Sequence, residues 1–91
     1  MTQVRVVIHG RVQGVWFRGW TVEEARARGL KGWVRNRRNS TVEAIFDGPD
    51  EAVASMLEAC REGPPAARVT EIEEFPSDEP LGAGFHQAPT A

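Results

Sequence analysis

Residues 10–18 read GRVQGVWFR, with two glycines, a glutamine and a closing arginine set between a valine-rich run and a segment of helical composition. A turn that leads from a strand into a helix presents successive backbone N–H groups before they have helical partners. At the positive end of the helix dipole such a nest favours a phosphate-sized anion. Gly10 and Gly14 permit a tight turn that larger residues resist. Arg18 stands at the mouth of the helix, where its planar donor fork can grip two phosphate oxygens. The stretch lacks the lysine and hydroxyl of a Walker A loop, so it does not read as a nucleotide–magnesium site. By residue type alone it reads equally well as a plain strand-to-helix turn whose arginine faces water.

Several elements must hold this turn in place. QVRVVIHG (3–10) is rich in β-branched residues and ends in glycine, a strand signal. Val4, Val6 and Ile8 lie on one face and Val7 on the other, which suits an interior strand. WTVEEARARG (20–29) has good helix formers, early acids suited to a positive N-terminal end, and Gly29 as a stop. LKGWVRNRR (30–38) and STVEAIFDG (40–48) read as a hairpin turning around residues 38–40, with Asn39 accepting the left-handed conformation. PDEAVASMLEACREG (49–63) is the clearest helix. Pro49, Asp50 and Glu51 mark its start; Val53, Met56, Leu57 and Cys60 recur at helical spacing; Gly63, Pro64 and Pro65 end it. ARVTEIEEFP (67–76) reads as a strand whose alternation slips between Val69 and Ile72, the mark of a bulge. A loop follows at 77–84, then a short last strand FHQ (85–87), and residues 88–91 are expected to fray.

The order β-α-β-β-α-β predicts one α+β domain over residues 1–91. It is a ferredoxin-like βαββαβ sandwich, with two helices on one face of an antiparallel or mixed sheet of four to five strands. Right-handed crossovers restrict the topology further; in this topology the first two strands run parallel, with the third antiparallel between them. Both parallel strands then end at one sheet edge. Asn36, near the far end of the second, lies two strand spacings, roughly 10 Å, from the axis of the first, within reach of a folded-over loop.

Composition narrows the function classes. The 91 residues are 41% hydrophobic and 26% charged, ordinary values for one globular domain. Thirteen acidic against eleven basic residues give a net charge of −2, whereas a general nucleic-acid binder carries a basic excess. Arg35, Arg37 and Arg38 form the one candidate basic site. The first strand offers no aromatics for base stacking, so no nucleic-acid partner is expected. A single cysteine, Cys60, excludes an internal disulfide and a Cys-rich zinc site, and its spacing marks it as core. The two histidines show no ligand spacing with each other or with Cys60, so no metal site is expected. His9 reads as a strand-end side chain outside the pocket. Phe17 is read as the anchor of the loop, and Trp20 and Trp33 as packing residues. For Trp16 the substrate mouth and the core stand open. No apolar run approaches the ~20 residues of a membrane span, and no signal-like segment opens the chain. A monomeric cytoplasmic protein without a membrane partner is the expectation.

GRVQGVWFR, followed by GLKGWVRN and TVEAIFDGP, resembles the acylphosphatase family in order and spacing. With the strand and helix pattern, the resemblance runs from about residue 4 to 75. It implies the fold argued above. It also implies hydrolysis of the carboxyl–phosphate bond of a small-molecule acyl phosphate, to a carboxylate and inorganic phosphate, without metal or cofactor. Phosphate binding falls on Gln13, Gly14, Val15, Trp16, Phe17 and Arg18 through the loop amides and the Arg18 guanidinium. Water positioning falls on Asn36, and a supporting role on Thr41. An acyl phosphate already carries a good leaving group, so positioning and electrostatics supply most of the catalysis. Asparagine is a poor base, which leaves the proton of the attacking water to a phosphate oxygen of the substrate. Ser40 stands where the family often has glycine. GFHQAPTA (84–91) lacks the charged or aromatic ending common in the family, so a short or loose last strand is expected. The same residues also fit a non-catalytic phosphate- or carbamoyl-phosphate-binding module of the kind found inside larger maturation proteins.

Overall fold

The computed structural model describes residues 1–91. β1 (Thr2–Arg11) places Val4, Val6 and Ile8 beneath the helices, while Arg5, Val7 and His9 face the other side. α1 (Phe17–Ala27) follows the 12–16 turn, and β2 (Lys31–Asn36) and β3 (Val42–Gly48) form the hairpin. α2 (Asp50–Glu62), β4 (Arg68–Pro76) and β5 (Phe85–Gln87) complete the chain. The sheet order is β4-β1-β3-β2-β5. β3 is antiparallel to both β1 and β2, so the first two strands run parallel and end at the same edge, as expected. β5 adds in parallel to β2.

One core lies between the helices and the sheet. Phe17 and Ala25 of α1, and Val53, Met56 and Cys60 of α2, meet the inward residues of β1, β2 and β3 there. Phe46 and Phe85 stack at 5.5 Å and close the β5 end of this core. Burial pushes the Cys60 thiol up to about 12, which fits the core role expected of it. Neither helix is long and apolar enough to cross a membrane.

The opposite sheet face is closed by charge pairs rather than by a second layer. Glu43, 5% exposed, accepts from Arg5 at 2.9 Å and from Arg35 at 2.8 Å. Phe75 and Trp33 stack on those two guanidiniums. Trp33 also donates its indole N–H to Glu79 of the 77–84 loop. Arg35 is thus committed to Glu43 and does not join Arg37 and Arg38 in a basic site. His9 pairs with Glu73 on this same face, away from the turn, as expected.

The structure moves four local expectations. α1 begins at Phe17 rather than Trp20, so Glu23 and Glu24 lie past its first turn, which holds no acid. The left-handed residue of the hairpin is Ser40, φ 74, and not Asn39. Asn39 Oδ1 instead accepts the N–H and the hydroxyl of Thr41. Gly10 lies within β1, at the expected bulge, where His9 opposes Glu71 and Gly10 opposes Val69. Its φ is +124, and a Cβ there would fall 2.1 Å from the Arg68 carbonyl oxygen, so strand contact rather than the turn selects this glycine. Lastly, residues 88–91 do not fray. Ala88 N–H donates to Val34 at 2.8 Å and Ala91 N–H to Asn36 at 3.0 Å, while the Ala91 carbonyl accepts Arg38 N–H at 2.7 Å.

Candidate functional site

After β1 the side chains of the turn go alternately inward and outward. Val12 and Phe17 are each 1% exposed and Val15 packs against the core, while Gly14 and Trp16 face out. Phe17 meets Trp20 edge-on at 5.4 Å. It also rests against Gly63, where a Cβ would fall 2.7 Å from its ring. Gln13 fastens the other end of the turn: its Nε2 donates to the carbonyls of Arg37 and Thr41, both at 2.8 Å. The loop is therefore stretched between the core and the β2–β3 turn. Gly14, φ +73, has open space around the position of a Cβ, so the left-handed backbone and its exposure to a ligand select glycine there. Trp16 is left-handed as well, φ 66, at a cost of about 1–2 kcal/mol for a residue with a Cβ.

The backbone N–H groups of residues 13–19 donate to no carbonyl of the chain; the first bond of the helix runs from Trp20 N–H to Trp16 O at 3.0 Å. No side chain caps α1. A helix N-terminus with unpaired amides and no nearby acid attracts an anion through both its donors and its dipole. Arg18, half-buried in the first turn, forms no ion pair with any carboxylate. Its guanidinium is left to the recess.

That recess holds about 130 Å³. Gly14, Trp16, Arg18 and Gly19 line it from the loop, and Asn36 and Gln87 from the sheet. Asn36 is the last residue of β2, paired with Val42 on one side and holding the Ala91 N–H on the other. Its Oδ1 is buried and has no hydrogen-bond partner. Rotation of the carboxamide exchanges two ends of nearly equal shape, one acceptor and one donor. A more voluminous groove, about 380 Å³, lies at the other end of α1 beside Lys31 and His86. Arg26, the arginine lining it, is already engaged with the Phe85 carbonyl at 3.0 Å.

The structure thus brings Gly14, Trp16, Phe17, Arg18 and Asn36 around one recess. Gln13 acts on it from outside through its side chain, and Val15 packs on the core beneath it. Thr41 touches the loop only through its carbonyl, held by Gln13. Gln87 was not foreseen, because a three-residue strand carries no sign of which strand it will join. The donor set is amides and a guanidinium, with one carboxamide lining the same recess. Such a set suits a tetrahedral oxyanion with a water beside it.

The acylphosphatase family model matches residues 4–87. The chain is 56% identical over 90 residues to an acylphosphatase of Rhodospirillum rubrum, covering 99% of each. It is 58% identical over 88 residues to one of Azorhizobium caulinodans, covering 96% of this chain and 95% of that one. The crystal structure of acylphosphatase from Bacillus subtilis superimposes with a TM-score of 0.90 at 40% identity, over 97% of this chain and 99% of the other. Sequence, fold and the arrangement of the recess agree over nearly the whole length, and the chain belongs to the acylphosphatase family.

Proposed function

We propose that in this acylphosphatase the phosphoryl group of a small-molecule acyl phosphate sits on the amides of residues 13–18 and the guanidinium of Arg18, while Asn36 places the attacking water. One observation carries the reading: the unpaired amides and the free Arg18 share a recess with a carboxamide whose buried oxygen has no partner. The water oxygen bonds to phosphorus as the bond to the acyl oxygen breaks. The carboxylate leaves with the electron pair, and the water proton passes to a phosphate oxygen. Cradle and guanidinium stabilise the equatorial charge of this transition state, an effect for which loss of one preorganised donor costs ~3–4 kcal/mol of barrier. No metal takes part in this scheme. We take the protein to act as a monomer in the cytoplasm.

The test is hydrolysis of benzoyl phosphate in EDTA, with Asn36→Ala alongside and the thermal shift by inorganic phosphate measured on both. Fast metal-free turnover that is lost in Asn36→Ala, while phosphate still stabilises the variant, supports the assignment. Undiminished turnover in Asn36→Ala would remove the water-positioning role. A wild type that binds phosphate without turnover would make the chain a binding module.

A further inference from the structure

The recess of about 130 Å³ is open to solvent on one side. With the phosphoryl group on the loop amides and Arg18, the acyl half of the substrate lies toward that open side, at the rim. Apart from Arg18, which the phosphoryl group occupies, no charged side chain lines the recess to select a charged acyl group.

Trp16 stands on that rim. It is 59% exposed, and the only other large hydrophobic side chain so exposed is Met1. It is also fixed in place. A Cβ on Gly19 would fall 2.1 Å from Trp16 Nε1, 2.7 Å from Cδ1 and 2.8 Å from Cε2, so the pyrrole ring lies directly against the Gly19 backbone. Its φ of 66 is an unfavourable conformation for a bulky residue, and such conformations concentrate at ligand sites. A large aromatic held in an unfavourable backbone, against a glycine that makes room for it, with its remaining surface turned to solvent at the mouth of a polar recess, offers a platform for an apolar group.

We propose that the Trp16 indole is the binding platform for the acyl half of the substrate, and that it selects acyl phosphates with a planar, apolar acyl group over small ones. The proposal rests on the hydrolase reading above. It assigns specificity, whereas Arg18 and Asn36 carry the chemistry.

The experiment compares kcat/KM for benzoyl phosphate and acetyl phosphate in the wild type, Trp16→Ala, Trp16→Phe, Trp16→Gly and Gly19→Ala, with the inhibition constant of inorganic phosphate measured in each. The expected result is a fall of about tenfold in the benzoyl-to-acetyl ratio for Trp16→Ala and Trp16→Gly, and partial recovery in Trp16→Phe. Gly19→Ala, which pushes the indole off its seat, is expected to lower the ratio too. Trp16→Gly accepts the positive φ without strain, so a loop disturbed by alanine is separated from a lost platform. An unchanged ratio in Trp16→Gly, whether both substrates suffer equally or neither does, overturns the platform. A wild type inactive on both substrates overturns the hydrolase reading and the proposal with it.

Discussion

Gln13→Ala cuts the one side-chain tie between the phosphate cradle and the β2–β3 turn. Two hydrogen bonds of 2.8 Å are lost, each worth about 0.5–1.5 kcal/mol net. Neither carbonyl is orphaned. Arg37 O still accepts Ser40 N–H at 3.2 Å, and Thr41 O still accepts Arg37 N–H at 2.9 Å. No desolvation penalty is added, so the loss is the two bonds alone, about 1–3 kcal/mol. Its location matters more than its size. The amides of residues 13–16 donate to nothing in the chain, so the Gln13 side chain and the packing of Val12, Val15 and Phe17 are what hold them. If the lost energy is preorganisation of the cradle, kcat/KM for benzoyl phosphate falls by about 5- to 150-fold, and the inhibition constant of phosphate rises with it. The core is untouched, and a loss of that size lowers Tm by about 4–8 °C per kcal/mol. Gln13→Glu is the sharper probe, because it turns a donor into an acceptor facing two carbonyl oxygens. It is expected to lose more activity than alanine. A Gln13→Glu variant as active as the wild type, or a Gln13→Ala variant that loses stability while keeping kcat/KM within about twofold, would refute the tether.

Asn36→Ala, proposed to lose turnover, is expected to leave the unfolding free energy in urea unchanged or to raise it by about 1 kcal/mol, because it deletes a buried carbonyl with no partner; a clear loss would mark the carboxamide as structural. Deleting residues 88–91 takes the Ala91 N–H from Asn36 and the Ala88 N–H from Val34. It is expected to lower kcat on benzoyl phosphate, while the phosphate inhibition constant, set by the untouched cradle, moves less. Burial holds the Cys60 thiol at about 12 against an ordinary 9.0. Above pH 9 the unfolded chain therefore sheds a proton that the folded chain keeps, and stability falls as pH rises from 9 to 12, by at most about 1.4 kcal/mol per pH unit. The chain has no tyrosine to confuse that window, so urea titrations at pH 9–11 are expected to show a flatter slope in Cys60→Ala.

What the sequence made legible was whatever its own neighbours determine. α2 landed within a residue at each end, because Pro49, Asp50 and Gly63 are local signals that act through local backbone chemistry. The bulge in β4 showed itself as a broken alternation. α1 started three residues early because its N-cap is Trp16, a residue type that carries no capping signature. Gly10 and Gly14 are the same letter, and only the Arg68 carbonyl across the sheet assigns the first to the bulge and leaves the second to the cradle. Ser40 became the left-handed residue because the Asn39 carboxamide was taken by Thr41. The order of the C-terminal residues was hidden for a related reason: they join β2 through backbone groups, which every sequence has. The family motif and the parallel strand ends put Arg18 and Asn36 forward as neighbours, and the structure lines one recess with both, whereas the Gln13 tether needed the distance to the β2–β3 turn.

The unsatisfied groups of this chain are gathered in one place, and that gathering is itself an argument for the site. Elsewhere the fold pairs what it buries. Glu43, nearly enclosed, receives two guanidiniums, and each of these guanidiniums rests on an aromatic ring. The chain thus has the means to neutralise a buried charge and uses them on the sheet face away from the recess. Around the recess it leaves an uncapped helix with no acid in its first turn, a run of amides without acceptors, an arginine without a carboxylate and a buried carbonyl without a donor. It also keeps a tryptophan at positive φ. The buried carbonyl and the positive-φ tryptophan each cost stability when the protein is alone. In the proposed site a bound phosphoryl group would satisfy the other three at once, because the amides, the dipole and Arg18 would all gain the same anion as partner. Binding therefore draws on preorganised groups that need no rearrangement. On the proposed function, a phosphate-stabilised fold and an active cradle are two expected consequences of one electrostatic arrangement.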